Sequence, residues 1–238
     1  MPDTVALITV DISRTLGRFT GLSTSAQLAG LTPLAEVAPT VVGETVRDLL
    51  YRAPKVTPNL VEQVCDRLLI PCRKFPTEWD RGYEPFPSAE HVLEELAEIA
   101  PVVALSNMAV TGGPERVAAV RRVHSRTLTD VYASWALGAA KPTPWLWNST
   151  AGKHKVVTGS VVHVGDQLVA DVYGAWTAGA RVVHLRTTSQ PAVYPADCGG
   201  RIVSVTDLAD VVPVVRAWAE RTPLPEAATA SYQGGESA

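Results

Sequence analysis

Polar residues with catalytic potential lie at four predicted strand ends in this sequence. The apolar segments before them are typical of buried parallel strands, which are covered on both faces. The residues at the four ends are Asp11 with Thr15, Ser106 with Asn107, Lys141, and Asp166 with Asp171. Since the carboxyl ends of parallel strands meet at one edge of a sheet, we expect these side chains to converge.

The residue types at this predicted edge fit nucleophilic catalysis. A carboxylate such as Asp11 can attack phosphorus or carbon. Two further acids, Asp166 and Asp171, would create the all-oxygen environment that Mg²⁺ prefers. A hydroxyl, an amide group and the Lys141 ammonium can stabilise the negative charge of a transferring group. The residues alone therefore fit transfer of an anionic group at a metal site.

Strands and helices alternate along most of the chain, which favours a doubly wound parallel α/β sheet. Strands are predicted at 5–10, 102–106, 161–166, 181–185 and 202–203, and the region between residues 123 and 141 is predicted to be irregular. Residues 220–238 are rich in Pro, Ala, Ser and Gly, so we predict a disordered tail there. The core domain is expected to comprise residues 1–15 and 85–219.

The first strand is followed by a helical insert, residues 16–84. Helices are predicted at 39–52 and 58–69, and no clear strand is predicted within the insert. A proline-dense stretch, residues 71–87, ends the insert because proline cannot continue a helix. The insert is therefore expected to form a domain of its own.

Composition excludes several classes of function. The chain has 238 residues, 46% of them hydrophobic, and a formal net charge of -3. No Lys/Arg cluster alternates with aromatic residues, so we expect no nucleic-acid or membrane partner but a small-molecule substrate. Three cysteines without metal-ligand spacing, and no secretory signal, predict reduced thiols in the cytoplasm. The sequence does not indicate an oligomeric state.

The four polar groups also resemble, in order, the motifs of the haloacid dehalogenase (HAD) superfamily. The first motif is Asp11-Ile-Ser-Arg-Thr15, the second Ser106-Asn107, the third Lys141-Pro142, and the fourth runs from Gly165-Asp166 to Asp171. The resemblance implies a HAD-like doubly wound parallel sheet with a Rossmann-like core. It also implies that the insert is a small α-helical cap, which closes over the substrate and excludes water.

The resemblance implies a Mg²⁺-dependent phosphatase-type hydrolase. Asp11 would form a covalent aspartyl intermediate and bind Mg²⁺, and the backbone carbonyl of Ser13 would bind the metal too. Asp166 would be the acidic metal ligand of the fourth motif. Asp171 would support it through water or through Lys141.

The remaining motif residues are implied to hold the transferring group. Ser106 and the backbone of Asn107 would bind phosphate oxygens, and Lys141 would neutralise charge on the nucleophile and the phosphoryl group. Thr15 closes the first motif and is counted among the catalytic residues with Asp11, Ser13 and Lys141.

Ser13 departs from the family pattern, because family phosphatases carry a general acid at this position. A serine hydroxyl cannot replace that acid near neutral pH, and general acid-base catalysis contributes roughly 10²–10⁴ in rate. We therefore expect a phosphorylated substrate whose leaving group needs no protonation, such as an acyl or enol phosphate. Arg14 is a candidate for stabilising the leaving anion by charge.

Two other functions stay open at the level of sequence. A dehalogenase- or phosphonatase-like enzyme would attack carbon, and a phosphonatase would need a cap lysine, for which Lys55 and Lys74 are candidates. A catalytically degenerate HAD module would bind a phosphorylated ligand or a protein without turnover. The two acids of the fourth motif favour a metal-dependent enzyme.

Overall fold

The computed structural model describes residues 4–80, 82–186 and 192–224. The strands are β1 (Leu7–Val10), β2 (Gly17–Phe19), β3 (Tyr83–Pro85), β4 (Val102–Ser106), β5 (Leu128–Ala133), β6 (Val161–Gly165), β7 (Arg181–Leu185) and β8 (Ile202–Val205). The α-helices are α1 (Thr24–Ala29), α2 (Pro39–Thr45), α3 (Pro58–Leu68), α4 (Ala89–Ile99), α5 (Gly113–Val123), α6 (Ser134–Leu137), α7 (Trp145–Lys153), α8 (Gly174–Thr177) and α9 (Val211–Glu220). Two π-helical segments, Val46–Leu50 and Leu168–Tyr173, precede Tyr51 and α8.

Six strands form one parallel sheet in the order β5-β4-β1-β6-β7-β8. The central strand β1 pairs with β4 on one side and β6 on the other, with Ile8 opposite both Val102 and Val162. The chain therefore crosses from one half of the sheet to the other at β1, and ligands of open α/β sheets bind at the carboxyl ends of strands around such a point. Asp11 follows β1 there.

Helices cover both faces of this sheet, which explains why its central strands are apolar throughout. Every residue of β1, β4 and β6 is buried. One hydrophobic cluster packs α4 and α9 against the sheet, and another packs α7 and α8 on it. The predicted doubly wound parallel α/β fold is confirmed.

The helical insert has a hydrophobic cluster of its own. Leu50, Val64 and Leu68 are among its buried members, and Ala109 and Val110 of the core pack against them. The backbone N–H of Val110 donates to the carbonyl of Leu50 at 2.9 Å. Contacts of this kind place the insert above the carboxyl edge of the sheet.

Two predictions about local structure were wrong. The insert was predicted without a strand, yet β2 and β3 pair as an antiparallel ribbon where the chain leaves and re-enters the core. The region after residue 123 was predicted to be irregular, but it contains the edge strand β5 and the short helix α6. Thr129 and Asp130 interrupt the apolar pattern of β5 where its register against β4 shifts between Val102 and Val103, which leaves Thr129 as the extra residue of a bulge.

The predicted disordered tail, residues 220–238, falls mostly outside the described residues. Within the described part, α9 extends to Glu220 and is followed by Arg221 to Leu224. No helix in the described ranges is long and apolar enough to cross a membrane.

Candidate active site

The structure brings Asp11 and Lys141 together at the carboxyl end of β1. The two side chains are 130 residues apart in sequence, and Lys141 Nζ lies 2.5 Å from Asp11 Oδ1. Both side chains are almost fully buried. Asp11 Oδ2 has no hydrogen-bond partner among the described residues, so this oxygen is the one available for attack on a substrate.

The Asn107 side chain fixes the backbone of Lys141. Its Oδ1 accepts from the Lys141 N–H at 2.7 Å, and its Nδ2 donates to the Lys141 carbonyl at 3.0 Å. The Lys141-Pro142 peptide bond is cis. The Asn107 side chain is thereby oriented by Lys141, and its backbone N–H and the second N–H of Nδ2 can bind a substrate oxygen.

Asp171 is the second carboxylate partner of Lys141. Its Oδ1 lies 2.5 Å from Lys141 Nζ and 3.2 Å from His163 Nε2, and its Oδ2 accepts from the Gln167 N–H at 2.9 Å. A Cβ at Gly165 would lie 2.4 Å from the Asp171 Cγ, so only glycine permits this approach. Asp171 is thereby held beside Lys141 from three directions.

Charge pairing sets the protonation of this buried cluster. Burial alone would lower the pKa of Lys141, but the charges of Asp11 and Asp171 raise it above its usual value. Burial raises the pKa of Asp171, and Lys141 and His163 outweigh that effect and lower it. Burial raises the pKa of Asp11 against the opposing charge of Lys141. Lys141 is therefore an ammonium and Asp171 a carboxylate at neutral pH.

Asp166 lies in a different environment, although it is only five residues from Asp171. Its Oδ2 forms an ion pair with Arg14 Nη2 at 2.9 Å, and the Arg14 side chain is 61% exposed. Its Oδ1 is buried without a hydrogen-bond partner among the described residues. Burial raises the pKa of Asp166 to about 6, and Arg14 opposes this shift.

The acids that the sequence predicted as metal ligands are adjacent in the structure. Asp11, Asp166 and Asp171 each offer one carboxylate oxygen within 4.8 Å of the other two. The buried, unpartnered Oδ1 of Asp166 is an oxygen that a hard divalent cation would satisfy. The donor set therefore fits Mg²⁺, although both oxygens of Asp171 already have protein partners.

The remaining predicted residues surround the same point. Ser106, at the end of β4, and Thr15 are buried, and Thr15 Oγ1 has no hydrogen-bond partner in the described part of the chain. Ser13 forms an isolated bridge with Gly17 and lines a cavity. Arg14 adopts a φ of 63°, in the left-handed region. All nine residues predicted from the motifs therefore lie at or next to the carboxyl edge around β1.

The cavity between the core and the insert measures about 360 Å³. The core residues that line it are Ser13, Arg14, Asn107, Met108, Ala109, Arg116 and Gln167. Residues 18–19 and 21–25 and Tyr51 complete its wall. A small molecule bound there would be in contact with the first and second motifs.

Two residues near the site were not predicted to act in it. His163 was interpreted as a structural histidine of a strand, and it lies between Asp171 and Thr9 Oγ1, the latter 2.8 Å from its Nδ1. Because burial lowers the pKa of His163, the neutral ring donates from Nε2 to the carboxylate and accepts from Thr9. Arg116 lines the cavity although it occupies the buried face of α5 with Val117 and Val120. The sequence indicates this residue only by placing an arginine where the helical pattern predicts an apolar residue.

Comparisons with known proteins agree with this architecture. A family model described as HAD-hydrolase-like matches residues 138–206, which contain Lys141, Asp166 and Asp171. A search of curated protein sequences found no match.

Solved structures that resemble the chain include three with different described activities. A 2-haloacid dehalogenase from Pseudomonas syringae pv. Tomato DC3000 is 21% identical, with a TM-score of 0.61 over 90% of this chain and 100% of its own. The HAD-hydrolase YfnB from Bacillus subtilis, described as bound to magnesium, is 16% identical, with a TM-score of 0.56 over 89% and 99%. A HAD phosphatase from Thermococcus onnurineus is 17% identical, with a TM-score of 0.51 over 87% and 95%. At these identities the likeness concerns the fold, and it confirms the expected HAD-like fold of this chain.

Proposed function

We propose that this protein is a Mg²⁺-dependent hydrolase of small phosphorylated molecules that acts through a covalent intermediate on Asp11. The observation that carries the proposal is the buried Asp11-Lys141-Asp171 cluster with the unpartnered carboxylate oxygen of Asp166 next to it. A structural ion pair would not need a third acid with an unsatisfied oxygen. Among the similar solved structures, the HAD phosphatase from Thermococcus onnurineus supports this proposal, whereas the dehalogenases support the second candidate given below.

Each residue of the site has a defined role in this mechanism. Asp11 Oδ2 attacks phosphorus, and the leaving group departs with the bonding electron pair. Lys141, held between two carboxylates, compensates the charge of the nucleophile and the phosphoryl oxygens. Ser106 and the backbone N–H of Asn107 bind those oxygens. Water then cleaves the aspartyl phosphate, which returns Asp11 to a carboxylate and releases phosphate.

Mg²⁺ would be held by Asp11, Asp166 and the Ser13 carbonyl, with Asp171 acting mainly through Lys141. When bound, it supplies positive charge to the phosphoryl group in the transition state. Asp171 has no free oxygen, so its contribution to the metal is indirect.

The helical insert, residues 16–84, is proposed to act as the cap. Its hydrophobic cluster packs on Ala109 and Val110, directly after the second motif. The cavity lies along this contact, so movement of the insert would open or close access to Asp11. We place the protein in the cytoplasm, as its thiol usage predicts.

The substrate is proposed to have a leaving group that needs no proton. Ser13 supplies no acid, and the nearest cation on that side of the site is Arg14, which can stabilise an anion but does not donate a proton near neutral pH. Acyl phosphates and enol phosphates meet this condition. Ordinary alkyl phosphates would be hydrolysed slowly.

A panel of acyl, enol, aryl and alkyl phosphates assayed with and without Mg²⁺ tests the proposal. We expect turnover of acyl or enol phosphates with Mg²⁺, loss of that turnover with EDTA, and no turnover by the variant Asp11→Asn. Turnover retained in Asp11→Asn would contradict the covalent mechanism. Saturable binding without any turnover would instead support a degenerate module.

Attack on carbon is the second candidate function. It is favoured by Ser13, because a departing halide needs no general acid, and by the apolar side chains of Phe19, Leu22 and Met108 along the cavity. Assays with short 2-haloacids in the presence of EDTA distinguish it. Dehalogenation that is insensitive to EDTA would replace the phosphatase proposal.

A further inference from the structure

The cavity beside Asp11 contains one cation without a carboxylate partner. Three arginines line it, and Arg14 pairs with Asp166 at 2.9 Å while Arg18 pairs with Glu84 at 2.7 Å. Arg116 has no carboxylate oxygen within 4.0 Å among the residues of the ranges described above. Burial lowers the pKa of Arg116, and the charge of Asp80, which lies beyond ion-pair distance, opposes that effect. The guanidinium of Arg116 therefore lies on the cavity wall without a direct carboxylate contact.

Arg116 is held in place by backbone groups that leave much of its hydrogen-bonding capacity unused. It is only 6% exposed. Its Nε donates to the Asp80 carbonyl at 3.0 Å, its Nη2 reaches the Leu22 carbonyl at 3.5 Å, and its Cζ lies 5.2 Å from the Phe19 ring centroid. A guanidinium has five N–H donors, so most of them have no acceptor among the described residues. A buried cation without a direct anionic contact is costly, which favours an anionic ligand at this place.

A second unsatisfied group lies on the wall of the same cavity. Thr24 is 3% exposed, and its Oγ1 is buried without a hydrogen-bond partner in the described part of the chain. Its hydroxyl can donate to an anion that Arg116 binds. The insert thus contributes Thr24 and the core contributes Arg116 to one set of donors.

The phenol of Tyr51 lies on the same cavity wall as Arg116 and Thr24. Burial raises the pKa of Tyr51, so the phenol is neutral and can donate a hydrogen bond. Ser13 and Asn107, from the first and second motifs, line this cavity as well. One small molecule in the cavity can therefore contact Arg116 and the motif residues next to Asp11.

We propose that the substrate has a carboxylate at the end opposite its phosphoryl group and that Arg116, with Thr24, binds this carboxylate. This inference rests on the proposed phosphoryl hydrolase function and adds the substrate class to it. A planar carboxylate matches the fork of a guanidinium and can use the donors that Arg116 leaves free. A cavity of about 360 Å³ limits the substrate to a short chain.

Two non-hydrolysable probes test the inference by calorimetry in the presence of Mg²⁺. They are 3-phosphonopropionate, which has a carboxylate, and propylphosphonate, which has a methyl group in its place. We expect the wild-type protein to bind 3-phosphonopropionate about 10- to 100-fold more tightly, the range for hydrogen bonds between charged groups. Equal affinities would overturn the inference and leave the proposed function intact.

Substitution of Arg116 tests whether this residue causes the preference for 3-phosphonopropionate over propylphosphonate. In Arg116→Gln the ratio of the two affinities should fall below about threefold, with propylphosphonate bound as in the wild type. The matched control Arg18→Gln changes a cavity arginine that already has a carboxylate partner, so it should keep the wild-type ratio. An equal loss for both probes in Arg116→Gln would show a purely structural role and overturn the inference.

Two further results complete the test. If Arg116→Gln does not fold, Thr24→Val replaces it, and we expect this variant to lower the affinity for 3-phosphonopropionate about threefold with propylphosphonate unchanged. An unchanged ratio of the two affinities in Thr24→Val overturns the inference. If neither phosphonate binds the wild-type protein, the phosphoryl hydrolase proposal fails, and this inference fails with it.

Discussion

The two sides of the acidic cluster differ in how completely their polar groups are satisfied. On the Lys141 side, which comprises Lys141, Asp171, His163 and Asn107, the charged groups have protein partners and are buried. On the Arg14 side, which comprises Ser13, Arg14 and Asp166, a partly exposed arginine is the carboxylate partner and one carboxylate oxygen has none. The Lys141 side is built before a ligand arrives, whereas the Arg14 side is completed by one.

This difference has a physical origin in burial. Ions removed from water are stable only when close partners compensate them, and the Lys141 side provides such partners within the fold. The Arg14 side lies at the cavity, so water, a metal ion or a substrate can complete its coordination. Preorganised charge next to an open position is the arrangement that electrostatic catalysis requires.

The largest expected difference between the two sides is in the free energy of unfolding of variants that lose one carboxylate. Asp171→Asn removes one of two carboxylates around a buried ammonium, and we expect a loss of about 3 kcal/mol in the free energy of unfolding, measured by urea denaturation. Asp11 still compensates Lys141, which keeps the loss at the lower end of the range for broken buried ion pairs. The matched variant Asp166→Asn should change the free energy by less than about 1 kcal/mol, as for partly exposed pairs. Equal losses would remove the distinction between the sides.

The Arg14 side should accept a new catalytic group at Ser13. Ser13→Asp places an acid at the cavity wall, and we expect alkyl phosphate hydrolysis to increase about 100-fold in kcat/KM, the lower end of general acid-base effects. Ser13→Asn has nearly the same shape but no acid, so it is the control and should show no gain. A gain in both variants would point to altered shape instead of proton transfer.

Much of this arrangement could be predicted from the sequence because local patterns encode it. Apolar runs that end in Asp11, Ser106 and Asp166 specify buried strands, and parallel strands bring their ends together without further information. The edge strand β5 escaped prediction because Thr129 and Asp130 break its apolar pattern at a shift in register. The order of the other core elements was therefore predicted better than the edge strand β5.

The different partners of Asp166 and Asp171 could not be predicted, because they depend on contacts between distant segments. Both acids follow the same strand, and only the fold places one against Lys141 and the other against Arg14. The position of Arg116 could not be predicted for the same reason. An arginine on an apolar helix face signals an unusual environment, but the carbonyls that hold it come from residues 22 and 80.

The affinity for Mg²⁺ should depend on the Arg14 side. Asp166→Asn replaces a charged oxygen ligand with a neutral amide, and we expect the affinity for Mg²⁺ to fall at least about tenfold in a calorimetric titration. Asp130→Asn is the matched control, because Asp130 also pairs with an arginine, Arg121, but lies on the edge strand. Its affinity for Mg²⁺ should equal that of the wild type. An unchanged affinity in Asp166→Asn would assign the metal to other oxygens.

The smallest expected effect concerns Arg14, whose guanidinium and a metal ion compete for the same carboxylate. The Arg14 side chain is 61% exposed and that of Asp166 only 3%, so water screens the pair from the arginine side, and exposed pairs contribute about 0.2–1 kcal/mol. Arg14→Gln should therefore strengthen Mg²⁺ binding by no more than about fivefold, and the gain should shrink as salt screens the pair. Arg18→Gln, which releases Glu84 instead, should leave the affinity unchanged. Weaker binding in Arg14→Gln would mean that Arg14 orders Asp166 for the metal, and the Arg14 side would then be preorganised like the Lys141 side.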